Sequence, residues 1–579
     1  MPVPPAAHPL ADHSADRRMV LLAGMALGIG AGAALGAWVL LKSIALATNL
    51  FWFGRISTAD AAITDISVGL FIVVIPALGA LIIGVMARFG SDKIRGHGIP
   101  EAIEAILYGQ SRLSLKVAIL KPISAAISIG SGGPFGAEGP IIMTGGAIGS
   151  LFAQRFHLSA AERKTLLVAG AAAGMTAIFG TPLAAILLAV EVLLFEWKPR
   201  SFVPVVVAVL VAMAVRPLLI GSGPMFPLTA ALPPAGPGLA IAGLLGLAVG
   251  LEAALLSALL YRIEDAFHRL PIHWMWWPAL GALVVGLGGL IDAHVLGAGY
   301  GSIQALLDGS LATRVVFALL VVKAVVWLVA LGSGTSGGIL APLLILGGAA
   351  GALAGQLWLG NPGVWALVGM AGILSGAMRA PLTGALFAAE VTGLFGALPL
   401  TIASACGAYA VSVLLMKRSI LTEKIARRGR HIHQEYVVDP MDMVQVRDLM
   451  TPEPATLPAA MIAGDVLDFF AGPAAHRSYP VVDTEGRLVG LVSRSDVLGW
   501  RVADMPADRA LADLVSDAAQ PVAYADAPIG QVADLIVETG VGRIPIVDPA
   551  TRKVLGILSR HDLLKARRDH RRAETARSR

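Results

Sequence analysis

From Ala324 to Met378 the sequence contains no Asp, Glu, Lys, Arg or His. One helix crosses the hydrocarbon of a bilayer with ~20 apolar residues, so this run holds more than one crossing or re-entrant piece. Pro217 to Leu251 is equally free of charge. Only 14% of the 579 residues are charged and 56% are hydrophobic, whereas a soluble chain carries roughly a quarter charged residues. Such a chain is embedded in a membrane. Its single cysteine, Cys406, excludes an intrachain disulfide and is expected to pack as a small apolar residue.

The charges collect at the ends. Arg17 and Arg18 precede the first apolar run, and Lys417, Arg418, Lys424, Arg427, Arg428 and Arg430 follow the last. Basic flanks stay in the cytoplasm, which predicts both termini inside and an even number of crossings; no nucleic-acid partner is expected. The Pro-, Ala- and His-rich start lacks an apolar core, so a cleavable signal peptide is not expected, and Met19–Leu41 would insert and stay. The resulting division is a tail (1–18), a membrane domain (19–418, in halves of roughly 19–220 and 236–418), a linker (419–440), two soluble α/β modules (441–503 and 508–568) and a basic tail (569–579). Localisation in the plasma (inner) membrane follows, with the soluble modules cytoplasmic.

Gly and Pro interrupt the apolar segments, and irregular backbone at membrane depth is tolerated only where protein buries it or it lines a cavity. The interruptions also repeat. Gly130–Pro140 reads GSGGPFGAEGP and Gly332–Pro342 reads GSGTSGGILAP; downstream, Pro182, Leu183 and Glu191 match Pro381, Leu382 and Glu390. Two halves with broken helices in corresponding places predict a site at their interface near mid-membrane. The soluble part repeats too: Ser493 and Asp496 match Ser559 and Asp562. Each copy reads as a helix, two short strands and a helix opening at Ser-Arg-x-Asp.

Three Gly-rich openings each precede an apolar helix: Gly96-His97-Gly98-Ile99-Pro100, Gly136-Ala137-Glu138-Gly139-Pro140 and Gly337-Gly338-Ile339-Leu340-Ala341-Pro342. Unpaired N–H groups and the positive end of the macrodipole make a helix N-terminus an anion site without the tight grip of a fixed cation. Proline suits the first helical turn, where its missing N–H is not needed.

These motifs, in this order, resemble the CLC family of chloride channels and chloride/proton exchangers, and the soluble pair resembles tandem CBS domains; the resemblance covers Met19 to Lys565. It implies a mostly α-helical polytopic fold of two inverted repeats of broken, tilted helices, followed by an α/β CBS pair. It further implies a homodimer passing chloride or similar monovalent anions through a pathway in each subunit. Glu138 takes the position of the gating glutamate, which competes with the anion and leaves when protonated. Backbone N–H groups of Gly98, Ile99, Ala137, Gly139, Ile339, Leu340 and Ala341 would line the anion sites.

The departures are informative. His97 replaces the family's central serine and Leu421 its inner aromatic hydroxyl, so the usual inner side-chain donors are missing. His97 either donates an N–H to the anion or turns toward the cytoplasmic vestibule. Val192 stands where exchangers carry an inner proton-transfer glutamate. Glu196, four residues on, is either a substitute on the proton route from Glu138 or a solvated loop residue, so uncoupled conduction is slightly favoured. Lys121 matches a basic family position; Glu191 and Glu390, symmetric in the repeats, read as structural. In the CBS pair Ser493 and Ser559 would face phosphate and Asp496 and Asp562 ribose, with an adenine nucleotide (ATP, ADP or AMP) in the cleft or the cleft empty. No required cofactor, bound metal or enzymatic activity is expected. A CBS-bearing divalent-cation transporter is the alternative.

Overall fold

The computed structural model describes residues 17–63, 69–357, 360–429, 444–503, 505–515, 520–565 and 568. The chain forms two compact units that divide between residues 434 and 435.

The membrane unit repeats one order of helices. The first half holds α1 (Arg17–Phe53), α2 (Phe71–Phe89), α3 (Ile99–Leu107), α4 (Leu115–Gly130), α5 (Glu138–Ala153), α6 (Ala160–Phe179), α7 (Pro182–Leu188) and α8 (Pro199–Leu219). The second holds α9 (Ala235–His268), α10 (Trp277–Ile291), α11 (Tyr300–Leu307), α12 (Thr313–Gly332), α13 (Leu340–Gly355), α14 (Pro362–Met378), α15 (Pro381–Thr392) and α16 (Leu398–Leu415). Seven helical stretches among the described residues are long and apolar enough to span a bilayer. Shorter apolar helices lie between them, so the parity of crossings does not follow from the long ones alone.

Close backbone approach explains where glycine recurs. A Cβ on Gly145 or Gly170 would sit 2.2 or 2.1 Å from the other residue's carbonyl oxygen, and Gly347 and Gly369 repeat the crossing at 2.6 and 2.1 Å. Only residues without side chains let α5 meet α6, and α13 meet α14, at that distance. Local signals set the ends. Ser159 and Glu162 form a capping box at the start of α6, and Gly180 ends it in the left-handed region (φ 68°).

The two halves are tied by a reciprocal cap. Glu390, at the end of α15, accepts from the Leu183 and Ala184 N–H groups at the start of α7 (3.0 and 2.8 Å). Glu191, beyond the end of α7, accepts from Leu382 N, Thr383 N and Thr383 Oγ1 at the start of α15 (3.2, 2.8 and 2.6 Å). Each carboxylate thus satisfies the orphan donors of the opposite half, the structural role expected of the pair.

Within the linker, α17 (Glu423–Arg427) buries Ile425 in the membrane unit, and Lys424 pairs with Glu101 (2.9 Å). One expectation changes. Cys406 is exposed on α16 rather than packed.

The C-terminal unit contains two three-stranded sheets. In one, β2 (Leu457–Pro458) runs parallel to β3 (Ser478–Val482), which pairs antiparallel with β4 (Leu488–Ser493). In the other, β6 (Val554–Ser559) lies between β1 (Thr451–Pro452) and β5 (Arg543–Val547), antiparallel to both, with Thr451 opposite Ile557. The copies therefore exchange their leading segments. Val446 packs in the core of the second copy with Ile544 and Leu558, while Leu511 and Val515 pack in the first with Val481 and Val492. Helices α18 (Ala463–Ala471), α19 (Arg494–Val502), α20 (Leu511–Leu514) and α21 (Ile529–Thr539) also belong to this unit.

Candidate anion pathway

The three Gly-rich openings converge. The Gly96 N–H donates to Thr335 O (3.2 Å) and the Gly337 N–H to Gly96 O (3.4 Å), while Gly136 and Gly338 exchange both backbone bonds (3.3 and 2.9 Å). A Cβ on Gly139 would lie 1.9 Å from His97 O, so the openings before α3 and α5 also abut. Gly98 (φ 88°) directs the chain into α3 from the left-handed region. Three helix N-termini thus face a common point.

Glu138 lies there, fully buried. Its carboxylate rests over two glycines. A Cβ on Gly136 would sit 2.0 and 2.3 Å from its Oε2 and Oε1, and one on Gly338 2.6 Å from Oε2. Neither oxygen has a hydrogen bond of full geometry among the described residues, although the N–H groups of Glu138 itself and Ala341 act on it. A carboxylate held at helix N-termini occupies the place those N–H groups would give an anion.

His97 is buried and its Nδ1 has no partner among the described residues. It lines a cavity of about 660 Å³ with Arg95, Tyr261, Glu264, Lys424 and Arg427. Leu421 is buried beside Ile420, whose carbonyl accepts from the Tyr261 hydroxyl (2.6 Å). A phenol thus reaches this place from α9, a contribution invisible in the local sequence around Leu421.

Lys121 is committed elsewhere than to an anion. Its Nζ donates to Ile94 O, Gly96 O and Ser336 Oγ (2.8, 2.7 and 3.1 Å). Lys323, unnoticed in the sequence, does the same in the other half, donating to Val295 O and Gly297 O (2.8 and 3.1 Å). The signal was present: Lys323 stands as far from Lys121 as Leu340 does from Glu138.

Glu196 is not one helical turn beyond Val192. After α7 the chain widens into a π-helix, Ala189–Leu194, and Phe195 leaves it with φ 54°. Glu196 then pairs with Lys164 and Lys198 (both 3.6 Å) and accepts from Ser201 Oγ (2.8 Å). This favours the loop reading over the proton route.

A family model described as voltage gated chloride channel matches residues 78–413. The chain belongs to the CLC family. The CBS domain model matches residues 446–503 and 513–569. Among curated proteins, this CLC protein is 30% identical over 365 residues to the voltage-gated ClC-type chloride channel ClcB of Escherichia coli O81 (strain ED1a), covering 61% of this chain and 87% of that protein. ClcB of Salmonella typhimurium (strain LT2) is 31% identical over 341 residues, 56% of this chain and 80% of that protein. Among solved structures, a slow cyanobacterial Cl-/H+ antiporter matches with a TM-score of 0.63 at 22% identity, covering 72% of this chain and 99% of that one. A eukaryotic CLC transporter matches with a TM-score of 0.60 at 20% identity, covering 94% and 98%. The membrane unit therefore has the CLC fold, and the family is one of transport rather than catalysis. That finding displaces the divalent-cation alternative.

In the CBS pair Ser493 and Asp496 bind each other. The Ser493 hydroxyl donates to Asp496 Oδ2 (2.7 Å) and accepts from the Asp496 N–H (3.3 Å). Ser559 and Asp562 repeat this at 2.7 and 3.4 Å. The serine protons are thus committed.

Proposed function

We propose that this CLC protein passes chloride and similar monovalent anions through a pathway in each subunit of a homodimer, with Glu138 as a protonatable gate. The carrying observation is the burial of Glu138 over Gly136 and Gly338, where N-termini from both halves meet. A carboxylate within a membrane protein is a functional group by default; at this point it competes with the transported ion. Neutralisation removes the attraction that holds it there, so acid opens the pathway. His97 supplies an N–H toward the anion from the inner side, and His97→Ser tests that role through anion affinity and its pH profile.

Uncoupled conduction is the favoured mode. Val192 is buried among apolar residues, and Glu196 is held by two lysines. The CBS pair, with both termini, is assigned to the cytoplasmic face of the inner membrane, where Asp496 and Asp562 would bind the ribose of an adenine nucleotide. Equilibrium dialysis with labelled ATP tests that part.

The deciding experiment records chloride and proton movement together from liposomes under a chloride gradient. Chloride efflux without proton pumping supports the proposal; uphill proton movement makes the protein an exchanger. Absence of chloride flux at every pH overturns the anion reading. Glu138→Gln is expected to conduct with little pH dependence.

A further inference from the structure

Glu138 is flanked by an element the sequence motifs do not include. Tyr300 opens α11 directly after Gly299 (φ 70°), as Ile99 opens α3 after Gly98 (φ 88°). Lys323 braces the loop before α11 as Lys121 braces the loop before α3. Tyr300 and Ile99 are thus symmetric partners. Ile99 is fully buried and aliphatic, so the fold asks for a hydrophobic side chain at this place and makes no use of a hydroxyl.

The hydroxyl nevertheless has a definite position. Tyr300 Oη accepts from the Ala137 N–H (3.2 Å), the amide immediately before Glu138. The ring is fixed against buried Phe226 (5.9 Å between centroids), whose own N–H is anchored on Val391 O (2.9 Å). No described residue accepts the Tyr300 O–H proton, and the buried Glu138 oxygens, within electrostatic reach, lack a full hydrogen bond. An unused donor on the amide next to Glu138 thus lies within electrostatic reach of an under-satisfied carboxylate.

We infer that the Tyr300 hydroxyl is a ligand of the anion that replaces the Glu138 carboxylate. With the gate closed, the phenol oxygen covers the Ala137 amide. Once the carboxylate leaves, the O–H donates to the incoming anion, and Ala137 N–H becomes available to the same ion. The inference rests on the proposed anion function and adds a side-chain donor to it.

The test uses the full-length protein in detergent and chloride as the probe, measured by titration calorimetry. Tyr300→Phe keeps the ring and removes only the hydroxyl. In a Glu138→Ala background it is expected to weaken chloride binding about ten- to a hundredfold, the loss of one hydrogen bond to a charged group. A ring acting only in packing would leave affinity untouched in that background, and this result would overturn the inference. If Glu138→Ala with Tyr300 intact binds no chloride, the functional reading falls and the inference with it. If that single variant binds chloride and the double variant binds it equally well, the role of Tyr300 alone is refuted. Matched melting temperatures for the two proteins exclude unfolding as the cause of a lost signal.

Discussion

If Glu138 is the gate proposed above, replacing Gly136 by alanine should displace it without altering the glutamate itself. The new Cβ falls 2.0, 2.3 and 2.4 Å from Glu138 Oε2, Oε1 and Cδ. Ordinary contact begins at 3.4 Å, so the carboxylate must retreat by at least about 1.4 Å. What it meets is the end of a flexible side chain, and an off-rotamer shift costs only about 0.5–1.5 kcal/mol. Gly136 does not occupy the left-handed region, so alanine brings no backbone strain. Its two bonds with Gly338 run through the main chain and survive the change. The assay is chloride efflux from liposomes across the acid-to-neutral range. A gate opened by one proton changes flux by at most about tenfold per pH unit, and Gly136→Ala is expected to flatten that slope as Glu138→Gln does. The slope is the decisive quantity, because the methyl also narrows the mouth and lowers the absolute flux. Gly243→Ala, with no atom within 4 Å of its added Cβ, serves as the control and keeps the wild-type profile. A Gly136→Ala protein with wild-type pH dependence would refute the placement of the gate over this glycine.

Glu390→Ala strands the Leu183 and Ala184 N–H groups and is expected to cost about 2–4 kcal/mol; an unchanged melting curve in detergent would contradict the reciprocal cap. Lys323→Met leaves two buried carbonyls without their donor, at a cost of about 2–4 kcal/mol. Lys121→Met, which loses three partners, should melt lower still. Ser493→Ala removes one capping box and should lower the stability of the CBS unit by about 1 kcal/mol. In the same unit Asp483 is held below the ordinary carboxylate range by the Arg487 N–H and guanidinium, and Asp548 by Thr551. Their stabilisation is complete above the unfolded-state pKa and is lost as pH falls through the depressed folded values. Asp483→Asn should therefore shallow the acid limb of a pH–stability curve.

The helix starts at the Gly-rich openings were legible because glycine and proline report backbone geometry directly, and a repeated motif reports it twice. The match of Glu191 to Glu390 was equally legible, since each caps the same element of the other half. Tyr300 and Tyr261 were not, because each reaches the pathway from a helix far away in sequence. The surroundings of Glu196 were hidden for a local reason: counting four residues as one turn assumes an α-helix, and the chain there is a π-helix that stops before it. In the CBS unit the repeat gave strands and helices correctly. It could not show that Val446 and Leu511 pack in each other's modules, since a hydrophobic residue does not encode which of two similar cores it enters.

The paired caps have a consequence for how such a chain could arise. A protein made of one half alone would carry a carboxylate at the end of its short helix and bare N–H groups at the start, with no means of joining them internally. A second copy would meet both needs at once, because the cap is reciprocal between the halves. The bond that now links Glu191 to α15 and Glu390 to α7 would have been an intermolecular contact between identical subunits. Fusion of two genes would then have preserved the contact while freeing each half to specialise, one keeping Ile99 where the other acquired Tyr300.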